Sequence, residues 1–202
     1  MTVGTRGAGG AAEGSPEGLA PRRAAQLFSG AGRLPDGTPV RVRPLAAEDR
    51  SLLLAGFASL SLGSRRSRFQ QGVSDAQFER MLPVLLDTVD QRSHVALVLY
   101  ADGQPIGVGR LRRFTSDPDV ADLAVTVADD WQGRGAGSVL ARELLDRAGY
   151  VREIQTVVGQ DNPASLRMLA RLGQLRSDCA HGTCDVIVQV SDSAAARRRD
   201  AA

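Results

Sequence analysis

The sequence predicts an α/β or α+β domain built around a mixed sheet. Three observations carry that expectation. "HVALVLYADGQPIGVGRLRRF" (94–114) sets two apolar-rich runs on either side of Asp102-Gly103, a hairpin turn dipeptide. "DVADLAVTVADDWQGRGAGSVLAREL" runs from an alternating strand through a glycine loop into an amphipathic helix. Strand-like and helix-like segments then alternate to residue 190.

Along the chain, residues 1–36 are rich in Gly, Ala, Pro and Arg and are expected to form a disordered tail, with a short helix near Pro21–Phe28. "TPVRVRPL" (38–45) alternates and predicts a first strand. A helix is expected over 46–60, with Leu52, Leu53, Phe57 and Leu60 on one side. "SRRSRF" (64–69) reads as a short basic helix or turn. The stretch 74–89 opens on a Ser74 cap and is at least partly helical, with Pro83 as a point of interruption.

After the hairpin, the strand over 119–130 places Leu123, Val125 and Val127 on one face and Asp122, Ala124 and Thr126 on the other. The next helix, about 135–148, turns Val139, Leu140, Leu144 and Leu145 inward and stops at Gly149. A strand (153–159), a helix (162–173) and a last strand (184–190) follow. Residues 191–202 form a second expected tail, which leaves one folded unit over 37–190.

Composition narrows the function. The chain has 202 residues, 43% of them hydrophobic, enough for one domain with its own core. No apolar run is long enough to span a bilayer, and the N-terminus lacks the apolar core of a secretory signal. A cytoplasmic location is therefore expected. A net charge of +2 gives no bulk argument for nucleic acid. All 25 basic residues are Arg and none is Lys, which excludes a Walker A loop and a lysine nucleophile. Cys179, His181 and Cys184, with Asp178 or Asp185, offer metal-ligand atoms, but the spacing matches no common zinc pattern. The two cysteines are expected to be free thiols in a loop, and no metal is expected. His94 opens a strand and reads as a structural histidine.

Gly133, Gly135 and Gly137 raise the central question. A helix N-terminus carries unpaired N–H donors and the positive end of the dipole, and glycines there let an anion approach the backbone. Three readings compete. A dinucleotide-binding turn needs G-x-G-x-x-G directly after a strand, whereas the spacing here is G-x-G-x-G and four residues intervene. The glycines could serve only to reverse the chain tightly. Or the loop holds the pyrophosphate of an acyl-coenzyme A.

"QGRGAG" (132–137) resembles the Q/R-x-x-G-x-G/A signature of the GCN5-related N-acetyltransferases, the GNAT superfamily. "LAVTV" (123–127) is similar to the family's fourth strand, "DNPASLRMLARLG" (161–173) to its second coenzyme-binding segment, and "VRVRPLAAED" (40–49) to its first strand and helix start. The resemblance implies a mostly antiparallel mixed sheet with helices on both faces, and acetyl-CoA as cosubstrate. It implies that backbone amides of Gly133, Arg134, Gly135, Ala136, Gly137 and Ser138, following Gln132, hold the pyrophosphate. Pantetheine would pair with Val125 and Val127, with the N–H near Val127 as oxyanion donor and Asn162 touching pantetheine.

Asp122 is the candidate general base. The surrounding "ADLAVTVADDWQGRGAG" resembles bacterial protein-lysine acetyltransferases, which carry Glu at this point. The Ser64, Arg65, Arg68 and Phe69 pattern resembles the same subgroup. Leu169 stands where many members carry a Tyr acid. The implied acceptor is a primary amine, preferably a protein lysine. A small-molecule amine acetyltransferase and a non-catalytic acyl-CoA-binding module are the alternatives, with nucleic-acid binding far behind.

Overall fold

The computed structural model describes residues 29–191. The segments at 1–28 and 192–202, including the helix expected near Pro21–Phe28, lie outside the described residues. Eight strands form one sheet: β1 (Gly30–Arg33), β2 (Pro39–Pro44), β3 (His94–Ala101), β4 (Gln104–Arg113), β5 (Val120–Val127), β6 (Glu153–Gly159), β7 (Gly173–Ala180) and β8 (Thr183–Val190). Their spatial order is β1-β2-β3-β4-β5-β6-β8-β7. Every neighbouring pair is antiparallel except β5 and β6. The helices are α1 (Arg50–Ser59), α2 (Leu62–Phe69), α3 (Asp75–Asp87), α4 (Ala136–Ala148) and α5 (Pro163–Ala170).

Local chemistry explains most of these boundaries. The β3–β4 turn has positive φ at both Asp102 and Gly103, as a type I′ hairpin requires. Ser74 caps α3 by accepting from Gln77 N–H, and Gln77 reciprocates onto the Ser74 N–H, forming a capping box. That helix runs through Pro83 without ending there. Pro83 lacks only the one N–H that would reach back a turn, and Leu82 and Leu86 stay buried on either side of it.

Two layers sandwich the sheet. On one face Leu140, Ala141, Leu144 and Leu145 of α4 pack with Val95, Leu97, Leu99, Leu111 and Leu123 into the main core. On the other, α1–α3 gather round three rings. Phe57 and Phe78 stack at 4.2 Å, and Phe69 meets both edge-on at 5.7 and 5.8 Å. A smaller cluster of Leu45, Leu86, Ala96 and Val98 joins that layer to the sheet.

Three expectations need correction. Residues 30–33, expected in the tail, form an edge strand paired with β2. Its glycine-rich sequence has no side-chain alternation to announce a strand, because the ladder is made by backbone alone. Residues 173–180, of which Gly173 is expected to end a helix and the rest carry no expected element, form β7, and the helix before it stops at Ala170. β7 covers the β8 edge and extends the hairpin around His181 and Gly182. That hairpin brings Cys179 and Cys184 into register as cross-strand partners, and they form a disulfide with Cα atoms 4.0 Å apart. They are therefore not free thiols, and among the described residues no group of His, Cys, Asp and Glu is placed to hold a metal. No helix among those residues is long and apolar enough to cross a membrane.

β7 starts at Gly173 because nothing larger fits. A Cβ there would stand 1.9 Å from the Gln189 carbonyl oxygen of β8. Gly173→Ala should force the β7–β8 ladder apart and lower the melting temperature by several degrees, as about 1–3 kcal/mol of overpacking would. Thermal unfolding measured by circular dichroism checks this.

Candidate acyl-coenzyme A site

The site begins where β5 and β6 part. They share only two rungs, Val120 with Glu153 and Ala121 with Ile154, and then diverge. Beyond that point the even-numbered residues of β5 give their backbone groups to β4. Ala128, next in line, donates to Ile106 O at 2.9 Å. The odd-numbered residues face the gap, where Leu123 O accepts from Thr156 Oγ1 and Val127 O from Gln132 Nε2, each at 3.1 Å. The backbone edge of Val125 between them points into open space.

α4 closes one end of the gap. After β5 a short 3₁₀ turn (Asp129–Trp131) leads into the glycine loop. Gly133 and Gly135 have φ of 73° and 90°, which a side chain would oppose. Gly135 caps the helix from the left-handed region, and a Cβ on it would meet Pro35 at 2.7 Å. A substitution there would strain the loop whatever it binds. The first turn of α4 therefore presents its free N–H groups to the groove. Arg171 of the segment after α5 reaches the same point and donates to Ser138 Oγ at 3.3 Å. A partial positive charge and a guanidinium thus converge where an anion would sit.

The groove holds about 450 Å³. Asp122, Val125, Val127, Gln132, Gly133, Gly135, Ala136, Gly137, Ser138 and Asn162 all line it. Arg134 alone of the expected residues turns away. Its guanidinium pairs with Asp36 at 2.7 Å and lies 4.2 Å from the Trp131 ring centre. Asn162 caps α5 by accepting from Ser165 N–H at 3.0 Å, so its carbonyl oxygen is already engaged. Gln132 donates to Ser64 Oγ and Asp129 Oδ1 as well as to Val127 O.

The far end is charged. Asp122 lies on the β5 face opposite Leu123 and Val125, as the alternation predicts. Its Oδ2 accepts from Arg110 at 3.3 Å, and its Oδ1 has no partner among the described residues. Arg68, from the end of α2, lines the same spot. Burial, and then Arg110, draw its guanidinium down to about 10, with Asp122 opposing. It remains charged at neutral pH.

Sequence reasoning missed the residues that join α2 to the loop. Asp129 accepts from Ser61 N–H at 2.7 Å and Ser64 Oγ at 2.5 Å. Those bonds, that from Ser64 first, hold its carboxyl below the usual carboxylate range. These partners are far apart in sequence, and only the acidic run at 129–130 beside the loop hinted at them.

A strand, a splayed partner and a helix N-terminus aimed into the gap between them point to one class of enzyme. The chain belongs to the acetyltransferase (GNAT) family, whose family model matches residues 54–174. It is an acetyl-CoA-dependent acyltransferase. It is similar to an acetyltransferase of Pseudomonas aeruginosa, 32% identical over 149 residues that make up 69% of this chain and 77% of that one. It is also similar to the acetyltransferase Pat of Mycolicibacterium smegmatis, 34% identical over 65% of this chain, which spans 40% of Pat's length. The GNAT domain of S. lividans PAT superposes with a TM-score of 0.68 at 22% identity, over 82% of this chain and 98% of that one.

The Arg134 clamp gives a test of how the loop is held. Asp36 is drawn down to about 2, first by the Thr38 side chain and backbone and then by Arg134. A carboxyl depressed in the folded state stabilises it above the ordinary value near 3.8 and loses that contribution as pH falls through about 2. Carboxyl titration by NMR should find Asp36 near 2. Arg134→Ala should raise it only part of the way to 3.8, because the Thr38 bonds remain.

Proposed function

We propose that this protein transfers the acetyl group of acetyl-CoA to the side-chain amine of a lysine in another protein, with Asp122 as general base. The observation that carries the reading is the open backbone edge of β5, closed at one end by the α4 amides and at the other by Asp122. The amides of residues 133–138 hold the pyrophosphate, with Arg134 contributing through its backbone and Arg171 adding charge. Pantetheine lies along Val125 and Val127 as an added strand and touches Asn162. Gln132 holds the shape of the loop. Asp122 is five residues upstream of Val127, about 17 Å along the strand at roughly 3.3 Å per residue. The cofactor arm therefore runs the length of the gap to meet it.

The chemistry is a direct displacement. An acceptor nitrogen attacks the thioester carbon, the C–N bond forms, and the C–S bond breaks with thiolate as leaving group. The nitrogen's proton passes to Asp122 Oδ1, directly or through a water. The oxyanion is stabilised by a free backbone N–H on the open edge of β5, at Val125 rather than at Val127, which lies too far from Asp122 to serve the same carbon. Leu169 is buried and offers no proton to the sulfur. None is required, since a thiol near pKa 8.5 leaves readily as thiolate. Resemblance to the protein-lysine enzymes, through Ser64, Arg65, Arg68 and Phe69 and through the likeness to Pat, supports a protein acceptor.

Labelled acetyl-CoA, incubated with the protein and an extract of its source cells, tests the acceptor. The chain has no Lys, so its own side chains do not compete for label. Enzyme-dependent label should appear in the macromolecular fraction. Label confined to small molecules would replace the protein acceptor with a metabolite.

Two substitutions test the roles. Ser138→Glu puts a carboxylate where the pyrophosphate sits, at a helix N-terminus that tolerates acidic residues. Calorimetry should find acetyl-CoA bound at least about tenfold more weakly, with the melting temperature unchanged. Asp122→Ala should lower kcat by about 10²- to 10⁴-fold, while acetyl-CoA affinity stays within about twofold. Unchanged turnover would remove Asp122 from the mechanism.

A further inference from the structure

Charge does not balance at the reacting end of the groove. Arg68 and Arg110 both border it, and among the described residues Asp122 is the one carboxylate that lines it with them. Arg110 uses one nitrogen on Asp122, and its Nε is buried without a partner. Arg68 has neither a carboxylate within ion-pair distance nor a hydrogen-bond acceptor among the described residues. Its guanidinium rests against the Phe69 ring, 4.9 Å from the centre. Arg65, three residues earlier, is by contrast fully engaged, with Asp75, the Leu60 carbonyl and the Ala58 carbonyl.

No neighbour among the described residues supplies the missing anion. Behind the groove lies a second cavity of about 150 Å³, which shares Arg68, Arg110, Ala124 and Thr126 with it. The rest of its wall is almost wholly apolar. The other titratable group there is His94, 3% exposed and held below its ordinary value by burial and then by Arg110. It is neutral at pH 7. A half-buried guanidinium without a counter-charge is costly, and its planar fork matches a carboxylate better than any other common group.

We propose that Arg68, with Arg110, forms an anion subsite beside the reacting carbon that takes a carboxylate carried by the substrates themselves. The inference rests on the groove being the acyl-CoA site with Asp122 at its reacting end. Two sources have this chemistry. One is the distal carboxylate of a dicarboxylic acyl-CoA such as succinyl-CoA. The other is the α-carboxylate of a free amino-acid acceptor, which would take the place of the protein lysine proposed above. In either case the bond changes are those of acetyl transfer. The amine displaces the thiolate, Asp122 takes the proton, and the carboxylate is held as a spectator.

The test uses the full chain and two matched pairs. Dissociation constants are measured for succinyl-CoA and acetyl-CoA. With acetyl-CoA as donor, kcat/KM is measured for 2,4-diaminobutyrate and for 1,3-diaminopropane, which differ by the carboxylate. Each is repeated in Arg68→Gln and Arg68→Lys, and only the ratio within a variant is compared, so a general loss cancels. The carboxylate-bearing partner should be preferred by about tenfold or more in one pair. The ratio should fall close to one in Arg68→Gln and be partly kept in Arg68→Lys, which retains charge without the fork. The responding pair identifies the source. Flat ratios in the wild type, or a preference that survives Arg68→Gln, overturn the subsite while acetyl-CoA binding keeps the groove assignment standing. A wild-type protein that binds neither thioester overturns both.

Discussion

The rest of the site depends on the early parting of β5 and β6. A strand in mid-sheet normally gives both edges to its neighbours. Here β5 gives one edge wholly to β4 and keeps only two rungs with β6. An exposed strand edge is ordinarily a liability, and unpaired backbone groups away from water are costly. This one is tolerable because it lies inside a groove, flanked by α4 and α5, where another sheet cannot reach. Packing enforces the gap. α4 lies so close on the sheet that a Cβ on Gly109 would come within 2.8 Å of Leu144. Met168 of α5 stands 3.3 Å from where a Cβ on Gly137 would be. Two helices thus fill one side of the splay and keep β6 from closing onto β5.

The position of α2 depends on a different set of bonds. Asp129 and Gln132 tie Ser61 and Ser64 to the glycine loop. The helix that carries Arg68 is consequently registered to the loop that closes the groove. This knot binds the two ends of the site across the sheet. The acidic residue next to the glycines is part of the scaffold, and the proposed chemistry falls to Asp122 at the other end of the strand.

Where side chains announce themselves, the sequence was legible. Asp102-Gly103 marked its hairpin. The alternation from Val120 to Val127 put Asp122 on the correct face, and the glycines marked the start of α4. β1 and β7 escaped for physical reasons. Gly30–Arg33 offers no pattern because an edge strand of glycines pairs through backbone alone. In β7 only Leu175 is apolar among Gln174, Arg176, Ser177 and Asp178, since the strand is open to solvent from Arg176 onward. Missing β7 hid the disulfide, because Cys179 and Cys184 meet only once the hairpin is drawn. Arg68 and Arg110 were visible as residues, but not as neighbours. Their meeting depends on α2 lying against β5, next to β4, which no local pattern encodes.

The two guanidiniums bear on how the proposed reaction divides its work. A lysine amine near pKa 10.4 is neutral in only about one molecule in a thousand at pH 7.4. A base alone would have to accept the proton from nearly every acceptor that arrives. Beside Arg68 and Arg110 an incoming ammonium meets like charge in a half-buried setting, which disfavours its charged form. The neutral amine is then selected partly by the field before it reaches Asp122. Arg110 holds Asp122 by one oxygen and leaves the other for the proton, which offsets the shorter reach of Asp relative to Glu by fixing where that oxygen points. A carboxylate bound at Arg68 would cancel part of the same field. Its presence or absence therefore tunes how much of the deprotonation falls to Asp122.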